Sequence, residues 1–274
     1  HHERSAAGAL AEEAGAWCTD HDVVFWMPVD DAEALGLGDC ASVRPIAEAD
    51  LVLSLGGDGT MLRSVRMLEG APVPVLGVNL GSLGYLTQVE PDRLADALDR
   101  FVAGPEAGAW TLDQRMMLDV AVNGELIGRA LNEAVVEKAE SGHTVRLLAR
   151  IDGEPFTYYA ADGLIVATPT GSTAYSLSAR GPVVSPRHRA MLLTPVSPHM
   201  LFDRTLVLDP TETIEIEVSG HRVAELVLDG RPVAPLDDGD VVRCTPSEST
   251  ANFVRLDAEY YHQILKAKFG LADR

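Results

Sequence analysis

Apolar positions follow two different rhythms along this chain, and the change falls between about residues 105 and 115. In the first part, short apolar runs alternate with stretches of helical spacing. Residues 3 to 17 set Leu10 and Trp17 on one helical face, and Val23-Val24-Phe25-Trp26-Met27 reads as a strand ended by Pro28. Asp30 to Leu37 reads as a short acidic helix or a loop. Leu51 to Leu55 is an almost unbroken apolar run, the pattern of a buried parallel strand covered on both faces. Met61, Leu62, Val65 and Leu68 then recur at helical spacing, with Arg63 and Arg66 outside that stripe. Pro74 to Asn79 gives another short buried strand, and Leu94, Leu98 and Val102 mark a helix within Pro91 to Val102. Alternation of this kind predicts an α/β domain with a parallel sheet over residues 1–114.

Beyond it the period shortens. Met117 to Val122, Leu126 to Leu131, Val145 to Ile151 and Thr157 to Tyr159 are strand-like runs broken by turn signals such as Asn123-Gly124 and Asp152-Gly153. Thr213 to Val218 alternates strictly, and Ala224 to Leu228 and Val241 to Cys244 continue in the same style. Residues 115–251 therefore predict a mostly β domain. The remaining segment, 252–274, is expected to pack back on the first domain through a helix over Tyr260 to Phe269.

Composition narrows the classes. With 274 residues and an apolar fraction of 46%, the chain is long enough for two cores. A net charge of −19 argues against a nucleic-acid surface, which needs clustered Lys and Arg. Cys18, Cys40 and Cys244 are odd in number and widely spaced, so neither a disulfide framework nor a structural zinc site is indicated. No apolar run is long enough to span a bilayer and no secretory signal opens the chain, so the expectation is no membrane partner and a reducing cytoplasm. His1 and His2 read as a tag remnant and are set aside.

Candidate chemistry concentrates in two turns. Gly56, Gly57 and Gly59 follow the Leu51 strand and precede the helix that starts near Thr60, a strand, glycine turn and helix N-terminus whose N–H groups favour phosphate. Asp58 sits in that turn. A carboxylate there can orient Mg²⁺ or take a proton from a hydroxyl, two tasks of phosphoryl transfer, or it can simply cap the helix. A second glycine turn, Gly81-Ser82-Leu83-Gly84-Tyr85, follows the next strand. Both turns are expected beyond the carboxyl ends of their strands, where open α/β sheets bind ligands.

The other cluster interrupts the β region. A strand over Leu164 to Ala167 ends at Pro169, and a turn with seven hydroxyl side chains from Thr168 to Ser178 feeds a helix beginning near Thr173. Free N–H groups and hydroxyls can hold a phosphate, a ribose or an amide. The same residues can also be a heavily capped turn, since Ser and Thr satisfy turn backbone. Two such turns in different domains suggest a cleft with a ligand between them.

At these segments the sequence resembles the NAD kinases, which phosphorylate the 2′-hydroxyl of the adenosine ribose of NAD. Gly56-Gly57-Asp58-Gly59-Thr60 is similar to their first motif, which lipid kinases and phosphofructokinases share. Asn132-Glu133 and the long Ala167-Thr168-Pro169-Thr170-Gly171-Ser172-Thr173-Ala174-Tyr175-Ser176 resemble the second and third. The order and spacing agree with the family from Val23 to Phe269. The resemblance implies an N-terminal α/β domain and a C-terminal β-sandwich-like domain with the active site in the cleft between them. It also implies roles. Asp58 is then the base or activator of the ribose hydroxyl, with Gly59 beside the dinucleotide, Gly56, Gly57 and Thr60 in the phosphate loop, and Arg63 near phosphate. Asn132 and Glu133 hold the adenosine ribose, Asp162 receives the nicotinamide amide, and Thr173, Ala174, Tyr175, Ser176, Leu177 and Ser178 line the dinucleotide pocket. His143 and Arg231 fall where the family places polar ligand contacts.

The implied reaction is in-line transfer of a terminal phosphoryl group from ATP or polyphosphate, with Mg²⁺ or another divalent cation bridging the donor phosphates. A homodimer or homotetramer is implied as well. Departures from the family pattern keep alternatives in view. The chain opens near the family's first helix without the usual preceding strand. Arg180 in Ser178-Ala179-Arg180-Gly181-Pro182 stands where the family commonly has Gly, and can crowd the turn or add a phosphate contact. Ser185-Pro186-Arg187-His188-Arg189 is unusually basic. A lipid or sugar kinase sharing only the first motif, and a catalytically silent NAD(P)-binding regulator, are the competing readings.

Overall fold

The structure is a computed structural model and describes residues 2–82, 84–140, 142–257 and 261–271. Leu83 of the second glycine turn and Tyr260, where the sequence opens the last helix, lie outside the described residues. In chain order the first elements are α1 (His2–Asp20), β1 (Met27–Pro28), α2 (Val29–Leu35), β2 (Ala41–Ser42), β3 (Val52–Gly56), α3 (Asp58–Met67), β4 (Val75–Asn79) and α4 (Leu94–Ala103). Then come β5 (Thr111–Val122), β6 (Glu125–Ala130), β7 (Glu133–Lys138), β8 (Val145–Ile151), β9 (Glu154–Ala161), β10 (Gly163–Ala167) and α5 (Tyr175–Ser178). The chain ends with β11 (Met191–Val196), β12 (Leu206–Leu208), β13 (Ile214–Val218), β14 (Ala224–Leu228), β15 (Arg231–Leu236), β16 (Val241–Arg255) and α6 (Tyr261–Lys268). Two compact units result, residues 1–114 with 252–274 and residues 115–251.

The first unit is α/β. β3 and β4 run parallel in register from Val52 opposite Val75 to Gly56 opposite Asn79, with α3 in the connection. β4 is buried at every position, as a strand covered on both faces must be. Leu76 and Val78 from β4 meet Leu94 and Leu98 of α4 and Leu10 and Ala14 of α1 in one core. The end of β16 joins this layer: Phe253 pairs in parallel with Val75, and the Gln88 amide bonds to the Leu256 N–H and the Asp257 carbonyl at 2.9 Å each.

The expected strand at Val23 to Met27 is not there. Only Met27 and Pro28 are extended in a pair, with Ala41 and Ser42. Val23 and Val24 are 41% and 73% exposed, while Phe25 and Met27 pack inward without strand pairing at Phe25. The run's only neighbour is two residues long, too short to extend the ladder. The acidic stretch that follows resolves as the helix α2, closed by Gly36 in the left-handed conformation at φ 76°.

The second unit is a sandwich of antiparallel strands. One sheet has the order β12-β11-β10-β7-β14-β15. The other joins the first part of β16 to β13, β8 and β9, with β5 and β6 paired as a hairpin. Inward residues of both, among them Leu147, Tyr159, Leu164, Met191, Ile214 and Leu226, form a single core. β13 alternates buried and half-buried along its length, as its sequence does. β7 and β11 went unnamed in the sequence because their buried runs are continuous rather than alternating. β15 carries Pro232 and Pro235 and lies at a sheet edge, where a missing N–H is tolerated.

Candidate active site

In the first unit the chain leaves β3 at Gly56, turns through Gly57 and enters α3 at Asp58. No side chain caps this helix, so its leading N–H groups stay available to a ligand. The Asp58 carboxylate instead reaches across to the second glycine turn. Its Oδ2 accepts the Tyr85 N–H and its Oδ1 the Leu86 N–H, both at 2.9 Å. The capping role that the sequence left open for Asp58 is therefore excluded. Two bonds from consecutive amides fix the plane of the carboxylate while each oxygen keeps a further lone pair. The Leu86 carbonyl is anchored in turn by the Arg255 guanidinium at 3.0 Å, itself paired with Asp113 at 3.0 Å.

This approach requires Gly84. A Cβ there would stand 2.4 Å from Asp58 Oδ1, inside any real contact. The result is a pocket of about 440 Å³ whose floor is Gly56, Gly57, Asp58 and Thr60. Leu80, Gly81, Ser82 and Gly84 line it from the second turn, with Ala7, Leu35 and Lys268 completing the wall. Arg63 is half-exposed and ion-paired to Asp31 at 2.8 Å, so any phosphate must compete with that carboxylate for it.

The second unit brings the other two motifs together. Asn132 immediately precedes β7 and Glu133 opens it, and the hydroxyl turn packs on this segment: the Thr168 N–H donates to the Asn132 carbonyl at 2.9 Å and the Thr168 hydroxyl to the Leu131 carbonyl at 2.6 Å. Gly171 lies so close that a Cβ would be 2.0 Å from the Asn132 oxygen. Asp229, in the β14–β15 turn at φ 47°, accepts the N–H groups of Leu131, Asn132 and Glu133 at 2.8, 2.7 and 3.0 Å.

Glu133 is 5% exposed, and its Oε2 has no hydrogen-bond partner. Burial first, and then the negative charge of Asp229, push its carboxyl up to about 8, against a partial opposing pull from a Tyr175 backbone hydrogen bond. At neutral pH the group then holds a proton, offering a donor and an acceptor to adjacent hydroxyls. A buried carboxyl oxygen without a partner is expensive in a folded protein. A ligand hydroxyl would relieve it.

Most hydroxyls of the turn are spoken for. Ser172 is fully buried and bonds to the Pro169 and Val184 carbonyls at 2.7 and 3.1 Å while accepting the Val184 N–H at 3.0 Å. Ser176 is fully buried against the Thr194 hydroxyl at 3.0 Å, which continues to Thr205 at 3.0 Å. Thr173 bonds back to the Thr170 carbonyl at 3.3 Å. Ala174 and Leu177 are half-buried, and Tyr175 and Ser178 are exposed. Asp162 is half-buried and carries Lys138 Nζ at 2.5 Å, so an amide would have to share it. His143 and Arg231 are exposed. Arg180 is exposed at φ 68°: the turn takes the left-handed conformation that glycine adopts at no cost.

The sequence missed the residues that organise these sites. Tyr85 and Leu86 act only through backbone, 27 and 28 residues from Asp58. Asp229 precedes Gly230, an Asp-Gly hairpin pair that went unused in the sequence reading, and its reach to Asn132, 97 residues away, is tertiary. Nothing local pointed to Arg255 or Lys268.

An α/β unit presenting a fixed carboxylate beside an uncapped helix start, in one chain with a β-sandwich carrying a buried carboxyl with one unpartnered oxygen, has parts suited to a phosphoryl-transfer class of protein. Comparison with known proteins makes this particular. The family model of the ATP-NAD kinase N-terminal domain matches residues 41–106, and that of the C-terminal domain matches residues 131–256. An NAD kinase of Heliobacterium modesticaldum is 37% identical over 272 residues, 97% of this chain and 95% of the relative. One from Moorella thermoacetica is 42% identical over 228 residues, 81% of this chain and 72% of the relative. Among solved structures, yeast NADH kinase complexed with NADH has a TM-score of 0.75 at 30% identity, covering 82% of this chain and 68% of its own. An NAD kinase from Archaeoglobus fulgidus in complex with ATP has a TM-score of 0.70 at 28% identity, covering 88% and 94%. The chain belongs to the NAD kinase family.

Proposed function

We propose that this chain catalyses its family's reaction, ATP-dependent phosphorylation of NAD to NADP, with Asp58 activating the acceptor. The observation that carries the assignment of Asp58 is its carboxylate, held by two backbone N–H groups at the floor of a pocket that begins at an uncapped helix. The 2′-oxygen of the adenosine ribose attacks the terminal phosphorus, its proton passes to Asp58, and the bond from that phosphorus to the bridging oxygen of the donor breaks, releasing ADP. The free N–H groups of α3 and of the glycine turn neutralise the developing charge.

The second unit contributes recognition. Glu133, with its unpartnered oxygen, and Asn132 take the adenosine ribose, a carboxyl being suited to adjacent hydroxyls. Asp162 receives the nicotinamide amide beside Lys138. Thr173 to Ser178 line the dinucleotide largely through backbone and through Tyr175 and Ser178, while His143 and Arg231 supply exposed polar contacts. Arg63 reaches phosphate by exchanging Asp31. Among the described residues no three His, Cys, Asp or Glu side chains gather to hold a metal. A Mg²⁺ brought by the donor phosphates would supply charge neutralisation there, with Asp58, which lines the pocket, as the carboxylate that would hold it.

Polyphosphate remains a second donor under this reading. Three free cysteines support a reducing cytoplasm, and no helix among the described residues is long and apolar enough to cross a membrane. A homodimer or homotetramer follows from the family and is checked by light scattering. A lipid or sugar kinase accounts for the first motif alone, whereas the family match extends through residues 131–256. Incubation with NAD, ATP and Mg²⁺, read by an NADP-specific dehydrogenase, is expected to give NADP. No NADP with ATP or polyphosphate, despite NAD binding by calorimetry, would replace the kinase with the silent regulator.

A further inference from the structure

Among the described residues that line the pocket at Asp58 one is a cation, and it comes from far along the chain. Lys268, in the last turn of α6, lines the same cavity as Gly57 and Asp58. Its ammonium sits 4.4 Å from the centroid of the Tyr85 ring, a cation–π distance. Tyr85 is the residue whose backbone N–H holds Asp58. Tyr261, at the start of α6, also leans on that ring, with centroids 6.5 Å apart. Both ends of the helix therefore dock on the side chain whose main chain orients the candidate base.

Charge makes the placement informative. The chain has 41 acidic against 22 basic residues, yet among the described residues no carboxylate pairs with Lys268. The other candidate cation of this unit, Arg63, is held by Asp31. A strongly hydrated ammonium on a flexible stem, held only by an aromatic face, exchanges that contact easily for a phosphate oxygen.

We propose that Lys268 is a donor-phosphate ligand: α6 delivers its ammonium to the terminal phosphates of the phosphoryl donor bound at the glycine turn. This rests on the kinase reading above. A point charge reads linked phosphates and not the base, so ATP and inorganic tripolyphosphate, where each serves as donor, are contacted alike.

The test is steady-state kinetics of Lys268→Met and Lys268→Arg in the full chain, with NAD and ATP varied separately and NAD binding followed by calorimetry. Lys268→Met is expected to lower kcat/KM for ATP about ten- to hundredfold, the range of one charge-assisted hydrogen bond. NAD affinity and melting temperature should hold, and Lys268→Arg should recover most of the loss. An unchanged kcat/KM for ATP overturns the proposal. So does a loss that Arg fails to rescue and that tracks a lower melting temperature or weaker NAD binding, because Lys268 is then a packing residue. Tripolyphosphate gives a further arm: if it supports turnover, a loss confined to ATP overturns the phosphate assignment. Wild-type protein that makes no NADP from any donor would instead sink the kinase reading itself, so the two failures are distinguishable.

Discussion

The glycine turn at Asp58 and the hydroxyl turn at Thr168 to Ser178 look alike in sequence, each a small-residue segment between a buried strand and a helix. They solve the backbone problem in opposite ways. At the first, the Asp58 carboxylate reaches out to a distant loop, and no side chain caps α3. At the second, the hydroxyls of Ser172, Ser176 and Thr173 are consumed internally, and the unmet group is Glu133, a neighbour from another strand. The lesson is that a cluster of hydroxyls does not measure ligand contacts. What a turn leaves unsatisfied does.

The sharpest way to break this contrast is at Asp58. Asp58→Asn should cut turnover by about 10²- to 10⁴-fold, the usual worth of a positioned base. It should also cost about 1–3 kcal/mol of stability, because the amide NH₂ faces one of the two backbone donors. Gly84→Ala comes next: its Cβ must push the Asp58 carboxylate aside, with a stability cost of about 1–3 kcal/mol from overpacking and a fall in kcat beyond that in NAD affinity.

Glu133 gives a pH test. Its folded value of about 8 lies above the ordinary 4.5, so between those values the folded protein keeps a proton that the unfolded chain releases. Stability should therefore fall as pH rises through that window, at up to about 1.4 kcal/mol per pH unit, and level off above it. Glu133→Gln should flatten the profile, gaining stability at pH 8 and little at pH 4.5, as read by denaturant midpoints. Parallel profiles would mean that the carboxyl is not shielded as described.

Ser172→Ala leaves the half-buried Val184 N–H without its acceptor and should cost about 1–3 kcal/mol with KM for NAD within twofold. A large rise in KM without loss of stability would show that the second turn works through its side chains after all. The smallest effect belongs to Arg180→Gly. Removing a Cβ at φ 68° should stabilise by about 1 kcal/mol and leave kinetics unchanged.

Much of this was legible because it is local. β3, its glycine turn and α3 are contiguous, and the helix stripe from Met61 to Leu68 and the alternation of β13 follow directly from period. The parts that escaped are those where distant residues decide. The run Val23 to Trp26 has strand composition but no partner. β7 and β11 are buried on both faces and show no period. Asp58 is oriented by amides from a turn whose only sequence signal was glycine, and Asn132 by a carboxylate 97 residues away. Lys268 is one lysine in a terminal helix until the fold sets it beside Tyr85.

One measurement bears most directly on the central claim: the rate of NADP formation by Asp58→Asn at saturating NAD and MgATP, taken beside its NAD affinity by calorimetry. The account predicts wild-type-like binding with turnover reduced at least a hundredfold. Turnover near wild type, or a loss no larger than the loss in binding, would contradict it.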